Sequence, residues 1–455
     1  MSSRGSLPTF VLVAGLLAGC AASPATQASP SAAPSIALAS IVPPTATPAV
    51  SVPATPAPTV SSSPAAVAAA SFTTPLPPDP AAAWTGISWQ QLDPNEPLAH
   101  VRSITRWSHG YVAVGGVLAT GTTSHSPIWM STDGGTWDPL PLAALGPAAV
   151  VVGVSRTADG VAVVTLQGGA NQCDGDDPPY CWTLAGPIQV WSLHAGGGTT
   201  WASHAGPPAL AQPDPGCSDC GANVPYLRAG APGLVLFSDS GQIFTSPDGA
   251  AWDALPASAF PAGFHLGDIE GFGSGFVAVG AKQFTTNGEP ASSPLALTSA
   301  DGRHWEAHAL GTGSLGPAAE ITAGNLVIGA SGLMAVGSTG ADPGLIVWWS
   351  SGDGVSWHLR EGYPPLGVWN GQGPGSGGMP NGFLVGNGDR MLAYRDDKAG
   401  GAWLSTGGGS WIAIKVTNGG PALVPGYAPG IVHLTPIGVL GTGSDGSSWF
   451  GQPTT

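Results

Sequence analysis

The sequence predicts an all-β fold, a β-propeller of seven four-stranded blades closed by a strand from near the N-terminus. Three observations carry this expectation: a composition hostile to helices, a tryptophan-ended repeat of about fifty residues, and chain ends that complement one another. Gly fills 70 of the 455 positions and Pro 46. These are the two poorest helix formers, so long helices are excluded. Seventeen Trp and a 43% hydrophobic share offer more surface to bury than a wholly disordered chain possesses. The 12 Lys+Arg against 27 Asp+Glu give a net charge of -15. Nucleic acid is therefore not expected as a partner, because phosphate binding needs clustered Lys and Arg.

The N-terminus reads as an address. Arg4 is the only charge before Asp79, and it precedes an apolar run from Phe10 to Ala18. That run is too short to span a bilayer as a mature helix and has the layout of a secretory signal. It ends in Leu17-Ala18-Gly19-Cys20, which resembles the bacterial lipobox, in which the Cys becomes the first mature residue and carries the lipid. The alternative is an ordinary signal cut near Ala18 or Ala22, with Cys20 incidental. From Ala21 to Pro78 no charge occurs, and Ala, Ser, Thr and Pro dominate. Such a segment cannot offset its ordering entropy by burying a core. Its prolines favour extended polyproline conformations at ~3.1 Å per residue. The expected organisation is a lipoprotein signal over 1–19, a Cys20 anchor and disordered spacer over 20–83, and one folded domain over 84–455.

Within that domain several stretches share one template: an apolar strand, then Ser-x-Asp-Gly-x-x-Trp. Four copies run from Ser131 through Asp133 to Trp137, Ser246 through Asp248 to Trp252, Ser299 through Asp301 to Trp305, and Ser351 through Asp353 to Trp357. Two degenerate copies end at Trp201 and Trp411, with Gly197 and Gly407 in place of the Asp. The motif tryptophans recur at intervals of roughly fifty residues. The exception is the longer step from Trp137 to Trp201, which holds a Cys-bearing insertion. Short strands such as Tyr111-Val112-Ala113-Val114-Gly115, Phe276-Val277-Ala278-Val279-Gly280 and Leu333-Met334-Ala335-Val336-Gly337 form a second signature. Alternation, β-branched residues and glycine punctuation indicate short antiparallel strands, and four of them per repeat make a propeller blade.

The two ends fit each other. After Trp411 another full repeat would overrun Thr455, yet Gly438-Val439-Leu440-Gly441 and Ser448-Trp449-Phe450-Gly451 resemble the second and third strands of a blade. Ile87-Ser88-Trp89-Gln90-Gln91-Leu92 is the spare strand. Pairing it with the C-terminal strand closes the ring, raises the count to seven and removes an open edge. The alternative treats Ser444 to Trp449 as a shortened seventh motif.

The Ser-x-Asp-Gly-x-x-Trp copies resemble the Asp-box, or bacterial neuraminidase (BNR) repeat, of sialidase-like β-propellers, over nearly all of residues 84–455. The resemblance implies that the turn joins the third and fourth strands at the periphery, on the face opposite the ligand site. Asp133, Asp248, Asp301 and Asp353 are accordingly structural, as are Trp137, Trp252, Trp305 and Trp357. A carboxylate that accepts successive backbone N–H groups holds such a turn, glycine supplies positive φ, and the indole fills the space between blades.

Besides Cys20 there are four cysteines: Cys173, Cys181, Cys217 and Cys220. In an exported chain they read as disulfides. Sequence neighbours suggest Cys173–Cys181 and Cys217–Cys220, although three connectivities exist. The rival is a thiolate zinc site on Cys217-Ser218-Asp219-Cys220. Asp174-Gly175-Asp176-Asp177 has oxygens suited to calcium, or is a solvated acidic loop. The ten His show no metal-ligand spacing, so neither metal nor cofactor is expected.

The resemblance raises an exo-sialidase, with three Arg on the substrate carboxylate, a Tyr–Glu nucleophile pair and an Asp acid. The family's Phe/Tyr-Arg-Ile-Pro element has no counterpart in Val101-Arg102-Ser103-Ile104-Thr105-Arg106-Trp107, and members usually have six blades. Candidate site residues are the polar groups expected on channel-lining strands: Arg102, Arg106, Tyr226, Arg228, Asp268, Glu270 and Glu320. Arginines suit carboxylates or phosphates and paired carboxylates suit glycoside hydrolysis, while plain salt bridging is the alternative. Tyr394-Arg395-Asp396-Asp397 reads as a solvated loop. The expected function is non-catalytic recognition of an extracellular glycan or protein by a monomer at the bacterial envelope, touching membrane only through its anchor. A diverged sialidase-like hydrolase and an envelope assembly or scaffold factor are the alternatives.

Overall fold

The computed structural model describes residues 84–116, 118–120, 123–140, 145–146, 149–157, 159–171, 182–194, 201–211, 225–238, 241–286, 289–313, 321–339, 346–360, 382–395, 401–417, 432–442 and 447–454. The signal, Cys20, the spacer, Glu320 and the four remaining cysteines lie outside them, as do Asp174–Asp177 and Asp396–Asp397. Among the described residues no helix is long and apolar enough to cross a membrane.

Seven antiparallel meanders account for almost all of the strands. Blade 1 comprises Val101–Trp107, Gly110–Gly115, Ile128–Ser131 and Asp138–Pro139; blade 2 comprises Ala149–Arg156, Gly160–Asn171, Trp182–His194 and Ala202–Ala205. Blade 3 is Tyr226–Gly230, Gly233–Phe237, Ile243–Ser246 and Asp253–Ala254, and blade 4 is Phe264–Phe272, Gly275–Thr286, Glu289–Ser299 and Glu306–Ala309. Blade 5 is Ile321–Gly329, Gly332–Thr339, Ile346–Ser351 and His358–Leu359. Blade 6 is Gly382–Gly386, Met391–Arg395, Gly401–Ser405 and Ile412–Thr417. Blade 7 takes Val432–Thr435, Gly438–Thr442 and Ser448–Thr454 from the C-terminus and Gly86–Gln91 from the N-terminal side. The first strand of each blade abuts that of the next, and the first strand of blade 7 abuts that of blade 1. The ring is therefore closed.

Closure uses the strand that the sequence marks as spare. Gly86–Gln91 pairs antiparallel with the last strand, from Gly86 opposite Thr454 to Gln91 opposite Trp449. Its first three residues also run parallel to Lys415–Thr417, which joins blades 6 and 7 into one eight-stranded sheet. Ser448–Thr454 is thus a third strand, and Trp449 does not end a shortened motif.

Each blade is sandwiched between two others, so its second strand is buried on both faces. Val112-Ala113-Val114 and Val277-Ala278-Val279 show continuous burial, not the one-sided alternation of a half-exposed strand. The glycine that ends this signature answers a local demand. A Cβ on Gly280 or Gly337 would run into the carbonyl oxygen of His265 or Thr322 on the adjoining first strand.

The described apolar core falls into seven clusters, each filling the seam between two blades. Every motif tryptophan packs in the seam between its own blade and the preceding one. Trp357 meets blade 4 residues such as Val277, and Trp305 packs beside Val235 of blade 3. Trp137 packs on the cluster that holds Leu440 of blade 7, and Trp252 on the cluster that holds Ala162 of blade 2. The degenerate-copy indoles Trp201 and Trp411 do the same, and Trp89 fills the blade 6–7 seam.

The turns show why the motif has its residues. Ser131 Oγ accepts the Gly134 N–H at 2.8 Å, while Asp133 Oδ1 accepts those of Gly135 and Thr136, both at 2.8 Å. Asp301 and Asp353 repeat the pattern with Arg303 and His304, and with Val355 and Ser356. Asp248 accepts the Ala250 N–H at 2.9 Å. Gly134, Gly249, Gly302 and Gly354 have φ of 76°, 84°, 74° and 78°, where only glycine sits without strain. In the degenerate copy before Trp411, Ser405 Oγ still accepts the Gly408 N–H at 2.8 Å, and no carboxylate is needed. The indole N–H of Trp357 closes its turn on Gly354 O at 2.8 Å.

Candidate functional site: the axial cavity

In an antiparallel meander the turn between strands one and two lies at the same end as the turn between strands three and four. One end of the ring therefore carries the first hairpins together with the Asp-box turns. The other carries the blade-to-blade connections. A cavity of about 1160 Å³ occupies the axis. Its lining includes first-hairpin residues Thr157, Ala231, Gly273, Ala330, Gly388 and Pro436, so it extends to the Asp-box end. The family resemblance points to the opposite mouth, and no first-hairpin position there carried a motif to flag it.

The first strands place the candidate residues at different depths. Arg102 and Tyr226 stand at the connection end and do not line this cavity. Tyr226 is 37% exposed and stacks on Phe237 with ring centroids 5.1 Å apart. Arg102 lies beside His433, and burial together with this guanidinium lowers the His433 pKa to about 4, so the imidazole is neutral at pH 7. Arg106, Arg228, Asp268 and Glu270 all line the cavity. The sequence reading missed Arg156, Asn325, Asp389 and His433, which join them. Glu320 lies outside the described residues.

Arg228, Asp268 and Glu270 form one cluster across blades 3 and 4. Arg228 Nη2 donates to Asp268 Oδ1 at 3.1 Å, and its Nε lies 2.8 Å from both Glu270 Oε1 and the carbonyl oxygen of Ile269. A β-bulge between Leu266 and Asp268 re-aims the latter's side chain. Asp268 Oδ1 accepts the Ile269 N–H at 2.9 Å, and Oδ2 accepts the Leu326 N–H of blade 5 at 3.1 Å. On the other side, Ala229 N–H donates to Ser155 Oγ of blade 2 at 3.0 Å. Polar links thus tie four successive first strands.

Electrostatics follow from this packing. Burial pushes Glu270 up to about 7 against the pull of Arg228, and the neighbouring Asp268 charge adds to the rise. Burial raises Asp268 as well, opposed by Arg228 and by two backbone N–H donors. Arg228 stays charged, because the two carboxylates outweigh its own desolvation. Three of the motif carboxylates behave oppositely: backbone N–H groups hold Asp133 and Asp301 below the usual range, and Asp353 near 2. They are fully committed to their turns. Among the described residues no group of three or more His, Cys, Asp or Glu is arranged to hold a metal ion.

Radial four-stranded sheets closed into a ring around an axial cavity define the chain as a seven-bladed β-propeller. No protein-family model matches it, and no curated protein matches it in sequence. Similar solved structures include YCF48 bound to D1 peptide, at 16% identity and a TM-score of 0.41, covering 82% of this chain and 97% of that one. YCF48 from Cyanidioschyzon merolae is 15% identical with a TM-score of 0.37, over 80% and 98% of the two chains. Trypanosoma rangeli sialidase in complex with the inhibitor DANA is 12% identical with a TM-score of 0.33, over 81% of this chain and 57% of the sialidase.

Proposed function

We propose that this chain is a tethered, non-catalytic recognition propeller, whose connection-bearing mouth binds an extracellular protein or glycan. One observation carries the reading. Arg228 engages both Asp268 and Glu270, so the arginine is not offered to a substrate carboxylate, and neither carboxylate is offered as a free acid–nucleophile pair. At the mouth, Tyr226 presents an exposed ring at the head of a first strand, suited to an apolar side chain or a sugar face. Cys20 supplies the lipid and residues 20–83 the spacer that hold the propeller at the bacterial envelope.

The test uses the full chain. Incorporation of a labelled fatty acid, lost in Cys20→Ser, supports the anchor. Binding to an arrayed glycan or a displayed extracellular protein, weakened about tenfold by Tyr226→Ala, supports recognition. Release of a fluorescent reporter from a sialoside, abolished in both Arg228→Ala and Glu270→Gln, overturns the non-catalytic reading.

A further inference from the structure

The axial cavity is polarised, and its polarity specifies a ligand. On one side the first strands of blades 1 and 2 abut; Thr105 and Arg106 lie near the end of the first, and Ser155-Arg156 end the second, with Thr157 following. No carboxylate of blades 1 or 2 lines the cavity among the described residues. Arg156 is exposed, and no described carboxylate lies within ion-pair distance of it. Across the axis the wall turns apolar. Val327, Leu384, Val385 and Trp348 line it, where the cavity reaches into the seam between blades 5 and 6. That seam has the thinnest described core, with Val327, Met334 and Met391 buried and Val336, Trp348, Leu384 and Trp411 only partly so. Between the two walls, the Arg228–Asp268–Glu270 cluster is internally paired. Asp389, on the blade 6 hairpin, repels negative charge from the apolar side.

We propose that the Asp-box end of the axial channel is a binding site for a small anionic amphiphile, with a carboxylate or phosphate head against Arg156 and an apolar chain in the blade 5–6 seam. Guanidinium forks match either oxyanion, and the apolar seam gains from each methylene it covers. The volume of about 1160 Å³ accommodates a ten-carbon chain with room for water at its head. The site lies at the end of the ring opposite the proposed recognition mouth and operates whether or not that mouth is occupied.

The experiment is calorimetric titration of the full chain carrying Cys20→Ser, without detergent, with four ten-carbon probes below their micellar concentrations. Decanoate or decyl phosphate should bind with 1:1 stoichiometry at least tenfold more tightly than decanol or decyltrimethylammonium, and the better anion identifies the head group. Affinity should fall from decanoate to octanoate to hexanoate. Arg156→Gln should weaken the preferred anion about tenfold and leave decanol unchanged. Tyr226→Ala should leave anion binding unaltered, which separates this site from the mouth. Absence of binding by both anions overturns the proposal, as does equal affinity for decanol or an Arg156→Gln variant that binds like the parent. If Arg156→Gln does not fold, the comparison of charged and uncharged probes on the parent chain decides.

Discussion

Ile87 tests ring closure most directly. Its side chain is fully buried, in the seam shared by blades 6 and 7, on a strand paired with the Ser448–Thr454 strand at the far end of the domain. Ile87→Ala removes three carbons, worth about 2.4 kcal/mol at ~0.8 kcal/mol per methylene-sized group. The cavity left behind adds about 1 kcal/mol, so the expected loss is about 3.5 kcal/mol. Against a total stability of about 5–15 kcal/mol, this is a large fraction. With a urea m-value of about 3 kcal/mol/M, the unfolding midpoint should fall by about 1 M. Gln90, on the same strand, is exposed, and Gln90→Ala should stay within about 0.5 kcal/mol. The assay is urea unfolding followed by tryptophan fluorescence, with size exclusion to record association. If Ile87→Ala costs no more than Gln90→Ala, the strand is not an integral part of the last blade.

Three further outcomes are expected. Trp357 is 9% exposed whereas Trp305 is half-buried, so Trp357→Ala should cost about 3–5 kcal/mol and Trp305→Ala visibly less in the same unfolding assay. Glu270 has a folded pKa raised to about 7 from an ordinary value near 4.5, so the folded state binds the extra proton. Stability should therefore decline as pH rises from about 5 to 7, and Glu270→Gln should flatten that slope; an unchanged slope refutes the assignment. Asp301 and Asp353 are depressed by their turn N–H groups, so their contribution is present above pH ~4 and lost as pH falls toward 2. Asp353→Asn should reduce this acid sensitivity, measured as the difference in melting temperature between pH 5 and pH 3.

Much of the fold was legible because its information is local. The turn built by Ser351, Asp353 and Gly354 closes between Ser351 and Ser356, so a short motif states it completely. The indole six residues after the serine always fills the seam behind it, which converts an even spacing into a radial arrangement. Closure was legible because blade 7 lacks a strand and Trp89 supplies one. The cavity was less so, because its walls gather single residues from strands scattered over more than three hundred positions. Arg106, Arg228, Asp268 and Glu270 stand out as scarce charges in a chain with 9% charged residues. Arg156 is equally scarce, and its place as the last residue before a first hairpin, like Arg106 near its own, is the signal that would have found it. No sequence pattern showed that Arg228 claims both carboxylates, since that depends on a bulge at Gly267 and on the meeting of two blades.

The pairing of Gly86–Gln91 with Ser448–Thr454 bears on how the chain matures. Synthesis proceeds from the N-terminus, so Trp89 emerges early and must wait for almost the whole remaining domain before its partner strand exists. Six blades can stack progressively as they leave the ribosome, but the clasp between Gly86–Gln91 and Ser448–Thr454 forms only after the seventh blade has been made. Until then both margins of the growing stack are uncovered. Maturation is therefore gated by the seventh blade, and a ribosome stalled within it leaves an open, adhesive arc in place of a ring.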